Sequence, residues 1–131
     1  MMMQVLRAPA IARYAVRNNS MRNFSTVQKL ADSNAVEDFR NLNSKAVMYF
    51  TASWCGPCKA ISPMYQEMAT KYTDIAFGKV DIDENADSSM EYEISAVPTF
   101  IFFEDNKAVA LVRGADVKGL QSNLDLLQNS K

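Results

Sequence analysis

The sequence predicts an α/β domain, a central mixed five-stranded sheet flanked by four helices. Three observations carry that prediction. Strand-like and helix-like stretches alternate along the chain from Ser25. Residues 46–50 form an unbroken apolar run, the pattern of a strand buried on both faces. Two strand-like runs near the end are separated only by Glu104-Asp105-Asn106, a polar turn that predicts a hairpin.

The elements follow in order. Residues 27–30 predict a short first strand. Asn34 with Glu37 three residues later predicts a capped helix start, and Val36, Phe39 and Leu42 give that helix one apolar face. After the strand at 46–50, a second helix begins past Cys55, with Ile61, Met64, Tyr65, Met68 and Tyr72 at helical spacing. Pro63 lies inside it and should kink it. Residues 76–82 predict a strand and residues 86–92 a short helix. Residues 99–103, strongly apolar and aromatic, pair with residues 107–113. Asp116 is the expected N-cap of the last helix, whose Val117, Leu120, Leu124 and Leu127 should face the sheet.

A chain of 131 residues suffices for one domain with a real core, and neither an internal repeat nor a linker interrupts it. No run approaches the roughly 18 uncharged apolar residues of a membrane-spanning helix. The chain has two cysteines and no histidine. The absence of histidine removes the commonest metal ligand and any Ser-His or Cys-His pair. Chemistry must therefore use cysteine, carboxylate, lysine, tyrosine or backbone.

Charge is divided unevenly. No acidic residue precedes Asp32, whereas Arg7, Arg13, Arg17, Arg22 and Lys29 are basic. Residues 1–24 read as a mitochondrial targeting presequence, rich in arginine and free of acid. Arg13 cuts short the apolar stretch that a secretory signal would need. Arg22-Asn23-Phe24-Ser25 resembles the cleavage pattern of matrix-targeted precursors, which puts the mature start at Ser25 and the domain at 25–131. The competing reading is a basic tail that stays attached. Loss of four arginines would leave 10 of the 14 basic groups against 15 acidic ones, a formal charge of −5. An acidic body argues against nucleic acid or an anionic membrane as partner.

The chemistry-bearing segment is Trp54-Cys55-Gly56-Pro57-Cys58-Lys59, between a buried strand and a helix. Cysteines at i and i+3 around a first helical turn can bring their sulfurs within bonding distance. The free N–H groups and positive dipole end there favour a thiolate at Cys55, the attacking species. Pro57 fits the first turn, where its missing N–H has no intrahelical partner. The expected cycle is attack by Cys55 on a disulfide, then displacement by Cys58 to leave Cys55–Cys58 oxidised.

That hexapeptide, followed by Val97-Pro98-Thr99 and Gly114, resembles the thioredoxin family over about residues 27–127. The resemblance implies a thioredoxin fold and a protein-disulfide reductant, recharged by an NADPH-dependent thioredoxin reductase and acting on clients such as peroxiredoxins, as a monomer. It implies that Pro98 is the family's cis-proline, leaving the backbone of Val97 free to pair with an extended substrate segment. Trp54, Gly56, Pro57, Val97, Pro98 and Gly114 would then form the docking surface. Lys79 matches a lysine beneath the site in many members, and Pro63 the helix-kinking proline. No cofactor is expected, since the cysteine pair stores the two electrons, and no dinucleotide glycine fingerprint follows any strand.

Two positions depart from the family pattern. Tyr49 stands where thioredoxins commonly carry a buried aspartate that takes the proton of the second cysteine. A phenol, with a reference pKa of about 10, is a poor base near neutrality. Water, Asp81 or Lys79 would have to serve, or Tyr49 simply fills core volume. Thr51 replaces an aromatic residue or a serine.

Other readings of the same residues stand beside these. A zinc site normally takes four ligands, and with no further cysteine or histidine only carboxylates or a dimer could complete one. Asp81, Asp83, Glu84 and Asp87 lack the glycine and terminal glutamate of a calcium loop and read as a solvated strand end. By base rate Lys79 is a solvated strand charge. For function, the alternatives are a disulfide oxidant or isomerase, and a binding module on this fold with dispensable thiols.

Overall fold

The computed structural model describes residues 26–131; the expected presequence and the Ser25 start lie outside the described residues. The elements are β1 (Val27–Lys29), α1 (Ser33–Leu42), β2 (Lys45–Thr51), α2 (Gly56–Lys71), β3 (Ala76–Asp81), α3 (Ala86–Glu91), β4 (Thr99–Glu104), β5 (Lys107–Arg113) and α4 (Val117–Asn129). One five-stranded sheet has the order β1-β3-β2-β4-β5. β3 pairs parallel with both β1 and β2. β2–β4 and β4–β5 are antiparallel. The sheet is mixed and five-stranded with four helices, as the sequence predicts.

β2 lies at the centre because its residues are apolar without alternation. Val47 and Tyr49 face one side, Ala46, Met48 and Phe50 the other, and all five are buried. The first side is covered by α2 and α4, through Ile61, Tyr65, Leu120 and Leu124. The second is covered by α1, through Val36 and Phe39. The β4–β5 turn has positive φ at Asp105 and Asn106, the primed geometry whose twist matches a hairpin. Asp116 caps α4 as predicted, its carboxylate accepting the Gly119 N–H at 2.9 Å.

The first helix begins elsewhere than expected. Asp32, not Asn34, is the N-cap, and its Oδ1 accepts the Ala35 N–H at 2.8 Å. A carboxylate suits the positive end of the helix better than an amide, and Asn34 is taken into the first turn. Leu42 is 77% exposed instead of facing the core. Each three-residue step falls about 60° short of a full turn, so Val36 and Phe39 stay on the stripe while Leu42 rotates off it. The same drift exposes Met64 on α2, where Ile61, Tyr65 and Met68 are buried, as is the C-cap residue Tyr72.

Two features of the core have measurable consequences. Gly78 on β3 is packed so closely that an added Cβ would lie 2.8 Å from Leu30 Cδ1 and 3.0 Å from Phe39 Cζ. Gly78→Ala is expected to destabilise the domain by about 1–3 kcal/mol by overpacking, read as a lower urea midpoint at constant m-value. Buried Tyr65 donates to the carbonyls of Gly78 at 2.7 Å and Val47 at 3.2 Å, and burial pushes its phenol well above the ordinary value. A group whose native proton is held more tightly gives full stability below the unfolded phenol value of about 10 and loses it as pH climbs beyond. Urea unfolding from neutral to strongly alkaline pH should therefore weaken above about pH 10, and less steeply in Tyr65→Phe.

Candidate active site

β2 ends at Thr51, and Cys55 N–H bonds to Ala52 O at 3.2 Å, closing the turn that delivers the chain into α2. Cys55 is the N-cap of α2, with extended backbone, φ −90° and ψ 110°. Its sulfur occupies the acceptor position usually held by a serine or aspartate oxygen: Sγ accepts the Cys58 N–H at 3.1 Å. Pro57 lies in the first turn, as predicted, where no N–H is required. Cys55 and Cys58 are joined as a disulfide with a Cα–Cα separation of 5.2 Å. In this oxidised form Cys55 is 4% exposed and Cys58 1% exposed. Cys58 is the more shielded of the two, and Cys55 presents only a small area, since its sulfur is bonded to Cys58 on one side and lies 3.7 Å from the Val97 carbonyl oxygen.

The remaining predicted residues come from distant parts of the chain. The Val97–Pro98 peptide bond is cis, and Val97 O stands over Cys55 Sγ. Gly114, with φ +86°, donates its N–H to Pro98 O at 2.8 Å, so this glycine is tied beside the proline. Trp54 is 65% exposed and donates from Nε1 to Asp83 Oδ2 at 2.9 Å. Thus Trp54, Val97, Pro98 and Gly114 gather around the cysteine pair. Lys79 is paired in register with Tyr49 across β3 and β2, on the sheet face that carries the cysteines, and is half-buried.

Tyr49 lies directly beneath. It is fully buried, stacked on Phe100 with ring centroids 4.9 Å apart and tilted against Tyr65 at the same distance. Its hydroxyl donates to Cys58 O at 2.9 Å and lies 2.8 Å from Ser62 Oγ. Asp81 is already committed elsewhere. Its Oδ1 accepts the N–H groups of Asp83 at 2.8 Å and Glu84 at 3.3 Å, holding the turn after β3. Among the described residues no group of three or more His, Cys, Asp and Glu side chains is placed to hold a metal ion.

Two residues of the site escaped the sequence reading. Asp83 reads from the chain as part of a solvated acidic run, but it anchors the Trp54 indole. Nothing local signals a contact across 29 positions. Ser62 lies four residues after Cys58 on the same helical face, a spacing legible in the chain.

Similarity to known proteins agrees with this geometry. The Thioredoxin family profile matches residues 26–126. The TPR repeat-containing thioredoxin TDX of Arabidopsis thaliana is 45% identical over 85 residues, which is 65% of this chain and 22% of that protein. The mitochondrial thioredoxin-3 of Saccharomyces cerevisiae is 35% identical over 118 residues, 87% of this chain and 93% of that one. The chain thus spans about a fifth of the first relative and nearly all of the second. A solved structure on the thiol resolving mechanism in yeast mitochondrial 1-Cys peroxiredoxin via glutathione/thioredoxin systems contains a chain 31% identical, with a TM-score of 0.75, covering 79% of this chain and 98% of that one. A family match that runs along nearly the whole described domain, on this fold, means that the chain belongs to the thioredoxin family.

Proposed function

We propose that this chain is a protein-disulfide reductant, working by dithiol–disulfide exchange through Cys55-Gly56-Pro57-Cys58 in the mitochondrial matrix. The observation that carries the reading is the sulfur of Cys55 serving as the N-cap of α2, with the Cys58 N–H directed at it. A backbone donor and the positive end of a helix stabilise the thiolate once the disulfide is reduced.

The cycle balances without a cofactor. Cys55 thiolate attacks one sulfur of a client disulfide; a Cys55–client bond forms, and the other client sulfur leaves with the electron pair and takes a proton. Cys58, as thiolate, attacks Cys55 Sγ; the Cys55–Cys58 bond forms and the second client sulfur leaves. The client gains two electrons and the cysteine pair loses two. The second step is intramolecular, so its effective concentration is high. An external dithiol, supplied by an NADPH-dependent thioredoxin reductase, restores the pair. Trp54, Val97, Pro98 and Gly114 form the surface on which the client lies, with Gly56 and Pro57 at its centre.

Disulfide-containing proteins are the client class, and peroxiredoxins belong to it; the similar chain in the yeast peroxiredoxin study supports that choice. The protein works as a monomer. Matrix localisation rests on the acid-free, arginine-rich residues 1–24 and on the likeness to a mitochondrial thioredoxin. Gly-Pro between the cysteines suits a reductant, because the oxidants and isomerases of this fold usually carry histidine there and this chain has none.

Two measurements check the reading. In an insulin assay supplied with dithiothreitol the chain should cleave the interchain disulfides, Cys55→Ser should be inert, and Cys58→Ser should stall with client bound to Cys55, visible by mass spectrometry; an alkylation-resistant Cys55 in the reduced chain would refute it. Residues 1–24 fused to a reporter should carry it into isolated mitochondria, and Edman sequencing of the imported product of the full chain should begin at Ser25; failure of import would remove the matrix assignment.

A further inference from the structure

Beneath Cys58 three oxygen atoms form a closed triangle. Tyr49 Oη lies 2.9 Å from Cys58 O, Ser62 Oγ lies 2.8 Å from Cys58 O, and the two hydroxyls lie 2.8 Å apart. Only two protons serve these three contacts. The Cys58 carbonyl can only accept, and the two hydroxyls cannot each place a proton between the same pair of oxygens. Every allowed arrangement therefore directs at least one O–H at the carbonyl of Cys58. Tyr49 is held in position by Phe100 and Tyr65, and Ser62 by α2 itself. The triangle is a fixed, uncharged support under the backbone of the residue that must swing its sulfur onto Cys55. Among the described residues, neither hydroxyl bonds to Cys58 Sγ; both are committed to the carbonyl or to each other.

We propose that Tyr49 and Ser62 are positioning residues for the resolving step, a hydroxyl pair that holds the Cys58 carbonyl while water, and no buried protein base, takes the Cys58 proton. The proposal rests on the dithiol reading above and deepens it. In the step itself Cys58 S–H gives its proton to water, the thiolate attacks Cys55 Sγ, the Cys55–client bond breaks, and the departing client thiolate takes a proton back from water. No further oxidant or reductant enters. Two consequences follow. Either hydroxyl alone still reaches the carbonyl, so the pair should act non-additively. Of the charged groups on the neighbouring strand, the Lys79 ammonium carries donors only and Asp81 is held by the Asp83 and Glu84 N–H groups, so the resolving rate should follow one ionisation, that of Cys58 itself, with no second inflection.

The test mixes fully reduced chain rapidly with oxidised glutathione, quenches with acid, and weighs the products. Formation of the glutathione adduct reports capture by Cys55, and its decay reports resolution by Cys58. Tyr49→Phe keeps the stacked ring, and with Ser62→Ala it should slow resolution about tenfold, more than the product of the single effects and more than any change in capture. In the Tyr49→Phe background, Ser62→Thr, which keeps one hydroxyl, should recover most of the rate that Ser62→Ala loses there. The native pH profile should rise through one inflection, whereas Tyr49→Asp should introduce a second. The proposal falls if the double variant resolves as fast as the native chain, if capture and resolution fall together, if threonine fails to rescue, or if the native profile already holds two inflections. Absence of any adduct in both the native chain and Cys58→Ser would instead overturn the dithiol reading, and this proposal with it.

Discussion

A helix N-terminus leaves backbone N–H groups without partners, and in this protein one of them is met by a sulfur atom. Cys55 Sγ accepts the Cys58 N–H, and this bond couples the chemistry of one cysteine to the backbone of the other. Its geometry requires that β2 stop at Thr51, that the turn close on Ala52, and that α2 start at Gly56. The rest of the architecture serves that junction. α2 is fixed on the sheet by Ile61, Tyr65, Met68 and Ala69. The loop before β4 sets Val97 O over the sulfur, and the Gly114 N–H ties the start of the last loop to Pro98. Rigid elements thus surround a pair of atoms that must exchange bonds without moving far.

The layer beneath the cysteines is aromatic rather than ionic. Tyr49, Tyr65, Phe77 and Phe100 pack ring against ring, with centroids 4.9–5.6 Å apart. Such contacts add to area burial and incur no desolvation of charge. A carboxylate at position 49 would need partners or would stay protonated. Two hydroxyls meet the same hydrogen-bonding need as neutral groups, and both end on Cys58 O. The cost falls on the proton path, since a neutral pair ready to donate is a poor acceptor. Stability of the layer and ease of deprotonation are therefore set against each other at this position.

Much of this was legible in the chain. The alternation of elements, the two-sided burial of β2, the hairpin turn and the Asp116 cap all follow from local pattern, because their determinants lie within a few residues. The first cap did not: Asp32 and Asn34 are both acceptable capping residues, and the carboxylate of Asp32 takes the position at the positive end of α1. The exposure of Leu42 and Met64 shows the limit of counting in threes. The role of Asp83 does not follow from local pattern because its partner Trp54 is remote in sequence, whereas the four-residue spacing of Cys58 and Ser62 is visible in the chain and only the meeting of Ser62 with Tyr49 is not.

By itself the sequence determined the order of elements, the position of the cysteine pair at a strand-to-helix junction, and hence the kind of bond exchange available. These properties depend on periodicity and on the intrinsic chemistry of thiols, which need no distant partner. Only the tertiary structure decided what surrounds the two sulfurs. Val97 approaches from 42 positions away, Asp83 takes hold of Trp54, and Tyr49 and Ser62 meet under Cys58. Contacts of that kind arise from the packing of α2 against the sheet, and hydrogen bonding between distant side chains is settled by distances that no local pattern encodes.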